Sequence, residues 1–296
     1  MDRPPVRVGV VDIGTNSMRL LMTDGSVDID RKVEVTGLGR GVDRTGNLSP
    51  DAIEESLAAL ARFRADMDRA EVDKRAAIAT SASRDAANRE DFFDLVETAL
   101  GVRPSLITGE EEARLAFAGA TRQIDATEPI VVSDIGGGST EFVSSGGEVS
   151  FDIGSVRLTE RAITGRPASP NEMSAARELL AGLFADVDLE TGTLIGVAGT
   201  WTSLAAIAQE LPEYSRERVH GYGMSRGTLV ELVDSLSSMT LEETAAIPAL
   251  DPRRAPVILG GALVAEGVMD TLDVGEVTIS EHDTLDAVAI ELLAIP

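Results

Sequence analysis

Apolar residues along the chain fall into short β-branched runs separated by longer stretches with helical periodicity. Val6-Arg7-Val8-Gly9-Val10-Val11 leads into Asp12-Ile13-Gly14-Thr15-Asn16-Ser17 and then Leu20-Leu21-Met22, which predicts a strand, a turn and a second strand. Ser49-Pro50 supplies a helix N-cap and a first-turn proline, and Ile53, Leu57, Leu60 and Arg64 follow at helical spacing, predicting a helix to about Arg69 with that stripe on the core. A buried strand is expected over 76–80 and a helix over 91–100 closed by Gly101. The next helix opens at Thr108-Gly109-Glu110-Glu111, where Thr108 and Glu111 have the spacing of a capping box. A polar stretch with a proline, Asp125 to Pro129, is the expected domain boundary, giving domains 1–125 and 126–296.

The second half repeats the opening of the first. Ile130-Val131-Val132-Ser133-Asp134-Ile135-Gly136-Gly137-Gly138-Ser139 is again a strand ending in Asp-Ile-Gly-x-x-Ser, and Glu141-Phe142-Val143 is the strand that leaves it. Over the seven residues starting at Val11 and at Ser133, four coincide, which suggests a duplicated architecture with a cleft between the halves. Ser169-Pro170-Asn171-Glu172 is a second capping box. Thr193 to Val197 is a strand entering a Gly/Thr turn and a helix, 256–272 and 285–295 are helical, and 277–280 is a strand. Strands alternating with helices place the chain in the α/β class.

Composition narrows the partners. The 296 residues carry 26 Lys and Arg against 50 Asp and Glu, a net charge of −24, which repels nucleic acid and anionic membranes. Cysteine is absent and there are two histidines, so disulfides, thiolate chemistry and imidazole-built zinc centres are excluded or disfavoured. The first residues lack the apolar core of a signal peptide and no apolar run is long enough to span a bilayer, so a cytoplasmic placement is expected.

Three loops rich in Gly, Ser and Thr follow buried strands: Gly14 to Ser17, Gly136 to Thr140 and Gly199 to Ser203. Glycine allows the backbone to approach an anion closely, and the third loop opens a helix, so the set points to phosphate. Asp12 and Asp134 stand at strand ends where a carboxylate can hold Mg²⁺; the competing reading is that each caps its own turn. Of the adjacent acids Glu110, Glu111 and Glu112, the first two suit a helix N-terminus, while Glu112 is rotated by ~100° and projects along another face. Arg84, Arg157 and Arg254 are candidate anion contacts, with surface ion pairs as the alternative.

Val11 to Leu20, Thr80-Ser81-Ala82-Ser83-Arg84, Gly109 to Arg114 and Asp134 to Glu141 resemble, in order, the hallmark segments of the Ppx/GppA phosphatases, the exopolyphosphatases and guanosine pentaphosphate phosphohydrolases. The resemblance continues through Gly196 to Leu204, His220-Gly221 and Arg254 to Gly261. It implies two ribonuclease-H-like domains of the actin, sugar kinase and heat-shock chaperone superfamily around a phosphate-binding cleft. It also implies Glu112 as catalytic base, Asp134 and Glu141 as metal- and water-organising carboxylates, and Mg²⁺ (or Mn²⁺) as cofactor, with Asp12 as a further metal candidate. Gly14, Thr15, Asn16, Ser17, Arg84 and Gly136, Gly137, Gly138, Ser139 and Thr140 match phosphate contacts; Arg19, Arg157, Gly199, Thr200 and Arg254 are further candidates. The implied substrates are inorganic polyphosphate, short chains in particular, and guanosine pentaphosphate, and the implied assembly is a homodimer. Longer members carry a C-terminal helical domain of histidine/aspartate type, so this chain resembles a short form. Glu281-His282-Asp283-Thr284-Leu285 departs from the Leu-Arg-Glu-Gly-like stretch usual at that point. The alternatives are a kinase of the same superfamily and a non-catalytic sensor of guanosine tetra- or pentaphosphate.

Overall fold

The structure, a computed structural model, describes residues 5–122, 124 and 126–295. Contacts divide it into two units, Met1–Leu115 with Thr284–Pro296, and Ala116–Asp283. The first is built on a five-stranded sheet ordered β3-β2-β1-β4-β5. Its strands are β1 (Val8–Ile13), β2 (Ser17–Thr23), β3 (Asp28–Val35), β4 (Lys74–Ala79) and β5 (Ser105–Leu106). The first three form an antiparallel meander, and β4 and β5 join parallel to β1.

In the second unit the strands are β6 (Ile130–Ile135), β7 (Thr140–Ser144), β8 (Gly147–Phe151), β9 (Thr193–Val197), β10 (Gly223–Ser225) and β11 (Glu276–Ile279), in the order β8-β7-β6-β9-β11-β10. Again a meander of three precedes two parallel strands, and β10 adds an antiparallel edge. Each unit thus has the ribonuclease-H-like arrangement, with the repeated Asp-Ile-Gly-x-x-Ser segments as its first hairpins.

The division differs from the boundary expected at 125. Asp125 itself lies outside the described residues, and the division falls inside the helix Gly109–Ala120. The C-terminal helix Thr284–Ala294, expected with the second half, belongs to the first unit. The reason is burial: Leu285, Val288 and Ala289 cover Val8, Val10, Leu21 and Ile78 on one face of the first sheet, and Arg31 reaches Asp286 at 2.6 Å.

The helix Pro50–Arg69 forms as expected, with Ser49 accepting from the Ala52 amide, but its buried stripe is Ala52, Ser56, Ala59, Leu60, Phe63 and Met67, with Ile53 and Leu57 only partly buried. The inward face mixes small residues with Leu60, Phe63 and Met67, and Gly9 of β1 leaves the room that Met67 fills. Strands β3 and β8 do not stand out in the apolar pattern, since both are half-exposed edge strands in which charged or polar residues alternate with Val, Ile and Phe.

Candidate active site

The loop between β6 and β7 is closed by the Gly136 amide donating to the Ser139 carbonyl at 3.1 Å. On one side its carbonyls are consumed: Gly136 O accepts from the Ser155 amide at 3.0 Å, and Gly137 O from the amides of Val156 at 2.9 Å and Arg157 at 3.3 Å. A trans peptide points its N–H opposite to its C=O, so the Gly137 and Gly138 amides are turned to the other side, as an anion-binding nest requires. Gly154 allows this close approach, because a Cβ there would lie 2.7 Å from the Gly136 carbonyl oxygen and from the Gly137 carbonyl. Thr140 is fully buried and its hydroxyl donates to Ile153 O at 2.6 Å, so its one proton is used within the fold and not on a phosphate. Arg157, also buried, reaches Asp152 at 3.2 Å, and its helix Ser155–Ala162 has its first amides committed to the loop.

Beside this loop lies a row of polar residues. Register places Asp134 directly opposite Glu141, and Glu141 directly opposite Ser150, so the three side chains stand on one face of the sheet. Asp134 is 5% exposed and Glu141 1%. Like charges directly opposed on a sheet are destabilising, and burial raises that cost, which is the circumstance a hard cation relieves. Two carboxylates are also the number Mg²⁺ uses when phosphates and water complete its shell. These residues fit the ion that the sequence implies.

The equivalent row in the first unit carries different chemistry. Asp12 is opposite Arg19 on β2, and the guanidinium binds the carboxylate through both Nε, at 2.9 Å, and Nη2. Asp12, read from sequence as a possible metal ligand, and Arg19, read as a possible phosphate contact, thus form an ion pair. Gly14 N donates to Ser17 O at 3.1 Å, the same closure as in the second loop. Thr15 O accepts from Gly39 N and Asn16 O from the amides of Thr36 and Gly37, which turns the Asn16 amide to the opposite side as in the glycine loop. The buried Thr15 hydroxyl oxygen accepts from the Ala82 amide at 3.2 Å, tying this loop to the helix Ser81–Asp85.

At the end of that helix, Arg84 Nη1 donates to Glu112 Oε2 at 2.8 Å and to Ile107 O at 3.0 Å. The three adjacent acids therefore separate as their rotation predicts. Glu110 and Glu111 are exposed, with the Glu111 amide donating to Thr108 Oγ1 at 3.1 Å, whereas Glu112 turns inward onto Arg84. Burial pushes the Glu112 carboxyl above the ordinary glutamate range, against the opposing pull of Arg84. Arg84, read from sequence as a phosphate contact, is thus bonded to the acid.

The third glycine segment is not a loop. The helix Ala198–Ala208 starts directly after β9 through Ala198 in the left-handed region at φ 68°, so Gly199 and Thr200 lie in its first turn. The Arg254 guanidinium packs onto Gly199, where a side chain would collide with it. The departing segment at 281 is anchored here: Tyr214 donates its hydroxyl to Glu281, Arg216 approaches Glu281 at 3.4 Å, and the Glu281 amide donates to His220 Nδ1 at 3.3 Å.

A model of the Ppx/GppA phosphatase family matches residues 22–289. The chain belongs to that family. It is 38% identical over 313 residues to Exopolyphosphatase 2 of Mycobacterium tuberculosis, covering 97% of this chain and 98% of that one. Among solved structures, an exopolyphosphatase-like protein superposes with a TM-score of 0.91 at 34% identity, covering 97% and 98% of the two chains. The Ppx/GppA enzyme of Aquifex aeolicus superposes with a TM-score of 0.80 at 31% identity, covering 97% and 99%.

In this Ppx/GppA phosphatase the second unit gathers Asp134, Glu141 and the amides of Gly137 and Gly138, and the first unit gathers Asp12, Arg19, Arg84 and Glu112. Ser150 was not a sequence candidate, although it donates to Glu141 Oε1 at 2.8 Å. The signal for it was the period-two pattern of Glu148, Val149, Ser150 and Phe151, which marks the third strand of the meander. Among the described residues no helix is long and apolar enough to cross a membrane.

Proposed function

We propose that this chain hydrolyses the terminal phosphoanhydride bond of inorganic polyphosphate and releases orthophosphate, with Mg²⁺ or Mn²⁺ held by Asp134 and Glu141. The observation that carries this reading is the buried opposed pair Asp134 and Glu141 beside outward-turned glycine amides, carboxylates suited to a cation next to donors suited to an anion. Names of relatives such as Exopolyphosphatase 2 agree with polyphosphate as the substrate class. When bound, the cation neutralises phosphate oxygens.

The remaining work belongs to the chain's own residues. In this reading Glu112 accepts the proton of the attacking water, whose oxygen forms the new bond to the terminal phosphorus as the bridging P–O bond breaks. The polyphosphate leaves one unit shorter. A carboxyl raised by burial is a better proton acceptor than an ordinary glutamate, and Arg84 keeps it in place. The Gly137 and Gly138 amides hold the oxygens on which charge gathers. Guanosine pentaphosphate ends in the same kind of bond and is the second substrate to test.

Phosphate release is measured with Mg²⁺ on short polyphosphate and on guanosine pentaphosphate at matched concentration, with no acceptor present. Orthophosphate from polyphosphate is the expected result. Binding without turnover would instead indicate a sensor, and turnover only on adding a sugar acceptor a kinase.

A further inference from the structure

Strand β8 carries a residue that reaches the acid pair from outside it. Ser150 Oγ donates to Glu141 Oε1 at 2.8 Å, and register makes Ser150 the direct neighbour of Glu141, as Glu141 is of Asp134. A carboxylate on a strand rotates about its last two side-chain bonds, and a donor on one oxygen fixes both the plane and the direction of the other. The internal duplication supplies a comparison within the molecule. In the first unit the corresponding row runs Asp12, Arg19, Val33: where the second acid is replaced by a guanidinium, the hydroxyl is replaced by an apolar side chain. The hydroxyl thus accompanies the acid pair and is absent where the pair is absent.

We infer that Ser150 is a positioning residue for the Ppx/GppA reaction: its hydroxyl orients the Glu141 carboxylate for the cation and water at the acid pair. This rests on the role given to Glu141 above. Ser150 is exposed at the sheet edge and makes no part of the apolar core, so its hydroxyl can be removed without opening a cavity.

The test compares Ser150→Ala, Ser150→Thr and Glu141→Gln in the chain of 296 residues. Mn²⁺ binding without substrate is followed by electron paramagnetic resonance, alongside melting temperature and the kinetics of phosphate release from polyphosphate. Loss of an outer-shell partner of a ligating group typically costs about 10–100-fold in metal affinity or activity. Ser150→Ala is expected to weaken Mn²⁺ binding and lower kcat by at least about 10-fold, with KM for polyphosphate and the melting temperature nearly unchanged. Ser150→Thr keeps the hydroxyl and suits a strand, so it should restore both. If Glu141→Gln abolishes turnover while Ser150→Ala leaves Mn²⁺ binding and kcat as in the parent, the positioning role is overturned and the role of Glu141 stands. Threonine behaving like alanine would also overturn it. If Glu141→Gln keeps full turnover, the reading of the acid pair fails and the inference with it.

Discussion

Arg84 holds Glu112 by a 2.8 Å bond from Nη1 to Oε2, and the same nitrogen is fixed by the Ile107 carbonyl at 3.0 Å. Burial raises the Glu112 pKa and Arg84 lowers it, with burial the larger effect. A general base works as the carboxylate, so with Glu112 in the proposed role activity should rise with pH through a value above the ordinary 4.5. Removing the guanidinium takes away the largest effect opposing burial and leaves the weaker pull of Arg19. Arg84→Gln should therefore move the acid limb of log kcat/KM upward by roughly 1–3 pH units. An acid limb that stays in place would separate Arg84 from the base.

Asp134 and Glu141 oppose each other with their charges buried. Asp134→Asn removes one charge at nearly constant size. Without metal the variant should melt at or above the parent temperature, since like charges directly opposed on a sheet are destabilising and burial raises that cost. Mg²⁺ should stabilise the parent by about 2.7 kcal/mol at a hundredfold excess over its dissociation constant and leave the variant unmoved. Scanning fluorimetry in chelator and in Mg²⁺ reads both effects. An equal Mg²⁺ shift in both proteins would remove Asp134 from the metal site.

Gly154 lies against the carbonyls of Gly136 and Gly137, at 2.7 Å from where a Cβ would stand. Gly154→Ala should destabilise by about 1–3 kcal/mol and, by displacing the loop, raise KM for polyphosphate. Steady-state kinetics on the folded fraction and urea unfolding check the two parts.

The duplication, the opening hairpins and the inward turn of Glu112 were legible in the sequence because they rest on local signals: a repeated hexapeptide, β-branched runs, and three acids at a helix start whose rotation separates them. What was not legible depended on contacts between distant segments. The C-terminal helix joins the first unit because Leu285 and Val288 meet Val8 and Leu21, which no local pattern marks. Asp12 resembles Asp134 in its motif, yet its neighbour across the hairpin is Arg19 and not an acid, so its charge is spent on an ion pair. Thr140 matched a phosphate motif, but its hydroxyl serves Ile153. Ser150 was hidden because a partly exposed edge strand gives a weak apolar signal.

Glu172 closes the capping box at Ser169, accepting from Thr164 and Ser169, and these bonds depress its pKa to about 2. A depressed carboxyl contributes stability that is present above its unfolded value, near 4.5, and is lost as pH falls toward 2. Glu172→Gln should melt below the parent at pH 6, and the gap should close between about pH 4.5 and 2. A gap constant across that range would assign the loss to something other than the charge.

If Glu112 is the base and its neighbours are helix-capping acids, Glu112→Gln and Glu111→Gln differ sharply in phosphate release from polyphosphate, measured side by side with melting temperatures as control. Glu111 is exposed, so its variant should keep activity within a few-fold. Glu112→Gln can still accept from Arg84 and should fold normally, but its rate should fall by roughly 10²–10⁴-fold. Retained activity in Glu112→Gln, or its loss in Glu111→Gln alone, would contradict the account.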